Sequence, residues 1–124
     1  MNPGNQIAES VIPVILGDGL SQNLLALRIY LRFGIASYLC SEKRSLLTLL
    51  NPAAKFYSLV SASEEDIACA SLFYLAENRD YLPILITSSE ESESFVKRHL
   101  PDLEPRFIIT NGKEFFTIKP MTLI

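Results

Sequence analysis

Short apolar runs rich in β-branched residues alternate at least four times with longer stretches of helical spacing, and no other feature of this chain restricts its fold so strongly. A strand that returns to the same sheet in parallel needs a crossover, which is right-handed in nearly all known cases. Repeating that unit predicts an α/β domain of Rossmann-like, three-layer architecture. Its mainly parallel sheet is expected to hold about five strands in the order 3-2-1-4-5.

The first run, residues 11–16, ends at Gly17-Asp18-Gly19 and reads as a buried central strand. Pro13 lacks a ladder donor and is therefore expected near the strand start. Leu20, Leu24, Leu27 and Leu31 then recur at helical spacing, Leu25 and Ile29 add a second apolar stripe, and Gly34 follows as a C-cap. A helix buried on much of its circumference is expected there. Further strands are expected over 35–40, 55–60, 81–86 and 106–110, with Pro83 awkward at the fourth. A brief helix over 41–50 is stopped by Asn51-Pro52.

Ser63 with Asp66, and Ser88 with Glu91, have capping-box spacing. Ile67, Ala70, Tyr74 and Leu75 are expected to form one helical face, and a helix with Val96, Leu100 and Leu103 is expected to follow. Asn111-Gly112 reads as a turn, and residues 115–118 as a sixth strand or the start of a further element.

Hydrophobic residues make up 48% of the 124, and charged residues 20%, so one core of ordinary size is expected. Residues 1–10 read as a polar lead-in and 11–124 as a single domain. The net charge of -3, with no basic stripe, excludes nucleic acid as a natural partner. No apolar run approaches the ~20 residues needed to span a bilayer, so no membrane association is expected. Residues 1–10 lack the basic-then-apolar pattern of a signal peptide, which points to the cytoplasm. Cys40 and Cys69 are expected as buried free thiols, and with His99 they have no metal-ligand spacing. His99 itself reads as a surface residue near a helix end.

In open parallel sheets, ligands sit beyond the carboxyl ends of the strands where the strand order reverses. In the expected order, that crevice lies between strands one and four. It joins the loop Gly17-Asp18-Gly19, with Ser21 and Asn23 behind it, to the loop Thr87-Ser88-Ser89-Glu90-Glu91. The first loop departs from a dinucleotide fingerprint, because Gln22 stands three residues after Gly19 and Glu42 comes late for a ribose contact. Gly17 and Gly19 equally suit a tight strand-to-helix turn with no ligand. The carboxylates of Asp18, Glu90 and Glu91, with no cation in either loop, favour a polar or amine-bearing small molecule over a phosphate. Acids in a first helical turn are also common for dipole reasons alone. A phosphorelay receiver is rejected, since Ser58-Leu59-Val60-Ser61 offers no phospho-accepting Asp and Lys119-Pro120 comes too late.

Two stretches, VIPVILGDGLSQNLLALRIYLRFGI (11–35) and LPILITSSEESESFVKRHLPDLEPRF (82–107), together resemble the N-terminal domain of ATP-grasp ligases. That family includes carbamoyl phosphate synthetase, biotin carboxylase and carboxylate–amine ligases. The resemblance runs from about residue 11 to 109. It implies a pre-ATP-grasp domain on the substrate side of an ATP-dependent ligase, not catalytic alone. ATP and magnesium would be held by an ATP-grasp region in the same chain or on a partner. The glycine-turn role would fall on Gly17 and Gly19, and the second-turn role on Thr87, Ser88, Ser89 and Glu90. Asp18 departs from the commoner Gly-Gly form. With Asn23 these positions make up the expected substrate-binding set. Two other readings stay open: a free-standing binding or homodimeric interaction module without enzymatic activity, which predicts an exposed apolar patch, and a nucleotide-binding Rossmann domain.

Overall fold

The computed structural model describes residues 11–17, 19–41, 46–58, 65–77 and 82–116. Five strands form one all-parallel sheet: β1 (Val11–Leu16), β2 (Ser37–Ser41), β3 (Ala54–Ser58), β4 (Leu82–Thr87) and β5 (Ile108–Asn111). The order is β3-β2-β1-β4-β5, as the alternation predicts. The helices are α1 (Gly19–Phe33), α2 (Leu46–Leu50), α3 (Glu65–Glu77), α4 (Glu90–Arg98), α5 (Leu100–Leu103) and α6 (Gly112–Phe115).

Strand alternation divides the core between the two faces of the sheet. On one face Ile15, Leu39, Ile84 and Ile86 pack with Leu25, Ala26 and Ile29 of α1 and with Phe115. On the other, Val14, Leu16, Cys40 and Leu85 pack with Leu72 and Leu75 of α3 and with Val96 and Leu103. Both prolines are accommodated by stagger. Pairing of β1 with β2 begins only at Val14, one residue past Pro13. Pairing of β4 with β5 begins only at Ile84, one residue past Pro83. Cys40 and Cys69 are both buried, and no disulfide joins them.

Several local expectations are corrected. α1 buries Gln22, Leu25, Ala26 and Ile29, while the leucine stripe at 20, 24, 27 and 31 faces outward. Leu46, Leu47, Leu49 and Leu50 of the neighbouring α2 are exposed as well. α3 buries Ala68, Cys69, Leu72 and Leu75, and leaves Ile67, Ala70 and Tyr74 exposed. Residues 112–115 form helix α6, capped by the Asn111 side chain, which accepts from the Glu114 N–H at 2.7 Å, so Phe115, the first residue of the expected sixth strand, is helical, and residues 117–118 lie outside the described residues. The Ser63–Asp66 pair lies outside the described side chains. Among the described residues, no helix is long and apolar enough to cross a membrane.

Candidate functional site

The carboxyl ends of β1 and β4 lie side by side, with Leu16 in register with Thr87. Ser88 locks them together. Its N–H and its hydroxyl both donate to the Leu16 carbonyl, at 2.9 and 2.8 Å. Its one hydroxyl proton is thereby taken, so the 3.2 Å contact with Ser21 has Ser21 as donor. Gly17 makes room for this lock. Its φ is +148°, and a Cβ there would collide with the Ser88 hydroxyl. The two expected loops therefore meet, but through structural hydrogen bonds.

The use of Ser88 in this lock also moves the cap of α4. The capping box pairs Ser89 with Ser92, not Ser88 with Glu91. The Ser89 hydroxyl accepts from the Ser92 N–H at 3.2 Å, and the Ser92 hydroxyl accepts from the Ser89 N–H at 3.0 Å. His99 ends the same helix as its C-cap, with its ring 5.0 Å from that of Phe95.

Beside this junction a cleft of about 530 Å³ opens between α1, the β4–α4 turn and the β5–α6 turn. Of the expected site residues, Thr87, Ser88, Ser89 and Glu90 line it, and Ser21 joins them. Gly17 and Gly19 do not line it: the first serves the lock and the second opens α1. Asp18 lies outside the described residues. Glu93 takes the place expected of Glu91, because residues three apart share a helix face.

Asn23 is turned away from the cleft. It is buried, its amide donates to the Gly19 carbonyl (2.6 Å) and to the Thr48 hydroxyl (2.9 Å), and its side-chain oxygen accepts from Asn51 (3.0 Å). It fastens α1 to α2 and to the turn before β3.

Gln22, which the sequence marks only as a missing glycine, is 1% exposed and reaches between β1 and β2. Its amide donates to the carbonyls of Ile15 and Cys40, both at 2.8 Å. Side chains therefore tie down the β1–β2 half of the carboxyl edge, and the cleft lies on the β4–β5 half.

Two cations reach this half from outside the loops that the sequence singled out. Arg28 comes from α1, its guanidinium stacked 4.3 Å from the centre of the Phe116 ring, and Lys113 comes from α6. The cleft thus combines two carboxylates, Glu90 and Glu93, with two cations, the serines of the β4–α4 turn, and the apolar flank of Leu24 and Leu25. This balance corrects the expectation of an unrelieved acidic crevice. Comparison of the chain with protein-family models, curated proteins and solved structures finds no match.

Proposed function

We propose that this chain is the substrate-side, Rossmann-like unit of an ATP-grasp-type ligase, not catalytic alone, and that its cleft holds a small molecule bearing both a carboxylate and an amine. The observation that carries this reading is the mixed charge of one cleft at the carboxyl edge. Arg28 and Lys113 suit a carboxylate, and Glu90 and Glu93 suit an ammonium group. The apolar flank of Leu24 and Leu25 suits the carbon skeleton between the two charged groups. Among the described residues no three His, Cys, Asp or Glu side chains gather as a metal site. On the family resemblance, ATP and magnesium belong to a separate ATP-grasp region, and this chain's share is to bind and orient the substrate.

Calorimetry and backbone amide NMR with free amino acids and dicarboxylic acids test the reading. The expected result is saturable binding, shifts confined to Thr87–Glu90 and Asn111–Lys113, and roughly tenfold weaker binding in Arg28→Ala. Absence of heat and of shifts at these turns would sink it. Binding of NAD, NADP or S-adenosylmethionine in preference to amino acids would favour the nucleotide reading instead. A second reading, a free-standing interaction module without enzymatic activity, draws on a different observation, the outward-facing leucines of α1 and α2.

A further inference from the structure

Leu20, Leu24, Leu27 and Leu31 lie on the side of α1 opposite the arc that packs on the sheet. All four are exposed, Leu31 to 76%. Steps of four, three and four residues keep them in one narrow row, the spacing of a helix that packs against another helix. On α2 the polar Thr48 is buried while its four leucines point outward, Leu46 at 70% and Leu50 at 71%. The bond from Asn23 to Thr48 holds α2 beside α1, so the eight leucines belong to one layer on one face of the sheet. Apolar patches of more than a few hundred Å² are rare on monomers.

We infer that this face is the interface of a homodimer, with α1 packed antiparallel against α1 of a second copy across a twofold axis. Two features select a second copy over another occupant. The 4-3-4 spacing reads the same in both directions. A twofold axis through the middle of α1 therefore sets Leu20 against Leu31 of the second copy and Leu24 against Leu27, the self-complementarity that an isologous contact requires. The eight leucines also leave roughly 800 Å² uncovered, the area that one partner brings to an interface of standard size. A lipid surface fits less well. An amphipathic helix that lies on a membrane has a free polar face rich in cations, whereas the opposite arc of α1 is buried in the core through Leu25, Ala26 and Ile29.

Leu24 belongs both to this row and to the apolar flank of the cleft, so the test reads oligomeric state and not ligand binding, and its variants leave Leu24 in place. Analytical ultracentrifugation of the full chain at micromolar concentrations tests the interface, with circular dichroism as the control for folding. The expected species has twice the 13.9 kDa mass of one chain. Leu27→Glu/Leu31→Glu is expected to sediment as a folded monomer, since both side chains are exposed in the single chain. Leu20→Cys/Leu31→Cys is expected to give an oxidised, covalent dimer, and Leu31→Cys alone to give none, which tests the antiparallel register without relying on the glutamate variants. A wild-type monomer at these concentrations overturns the inference. So does a dimer that survives the double glutamate change, or a monomer that co-sediments with phosphatidylcholine vesicles through these leucines.

Discussion

Replacing Gln22 by alanine would leave two buried carbonyl oxygens, those of Ile15 and Cys40, without the amide that now serves them. Each unsatisfied acceptor costs about 1–3 kcal/mol, so Gln22→Ala is expected to lower the urea midpoint by the equivalent of about 2–4 kcal/mol with an unchanged slope. Gly17→Ala combines the positive φ with a collision at Ser88 and is expected to cost about 2 kcal/mol or more, measured in the same way. Cys40 gives a pH dependence. Burial pushes its thiol far above the ordinary value of 9.0, so the folded state keeps a proton that the unfolded chain loses. Stability is then unaffected by this group below that pH and falls above it, by at most about 1.4 kcal/mol per pH unit. Denaturation at a series of alkaline pH values, compared with Cys40→Ala, checks this: the variant should lose that slope. None of these roles is legible in the sequence. The partners of Gln22 are backbone oxygens of two separate strands, and Ser88 matters to Gly17 only once β1 and β4 are neighbours.

Among the elements, helix faces were the least legible. α1 carries two apolar stripes in sequence, and only the sheet decides which one is buried. The choice of 22, 25, 26 and 29 follows from the hydrogen bonds of Gln22 to the strand ends and from the packing of Leu25 and Ile29. α3 is apolar around most of its circumference, so spacing alone did not pick out Ala68, Cys69, Leu72 and Leu75. The cap of α4 was misplaced by one residue because Ser88 and Ser89 both suit that role, and only the lock on Leu16 separates them. Ser89→Ala is accordingly expected to cost about 1 kcal/mol in thermal melts and to speed hydrogen exchange at the Ser92 amide, whereas an unchanged Ser92 rate would count against the cap.

For the whole molecule, the strand order was legible, because alternation and crossover handedness leave few arrangements. The candidate site was half legible. The β4–α4 turn was found from the sequence, while Arg28 and Lys113 were missed because they lie on elements far apart in the chain. β1 and β4 are paired on both sides and hold fully buried residues such as Val14, Ile15 and Leu85. Their amides are expected to exchange only through global unfolding, and those of β3 and β5 at the sheet edges sooner. Equal protection across all five strands would contradict this ranking.

The placement of Gln22 has one more consequence. A two-headed ligand that straddles the midline of such a sheet needs a berth on either side of β1. Among the described residues, a glutamine side chain fills the space between the ends of β1 and β2, and the cleft lined by Glu90, Glu93, Arg28 and Lys113 opens on the side toward β5. A guest of that cleft lodges to one side of β1, against the turns that follow β4 and β5.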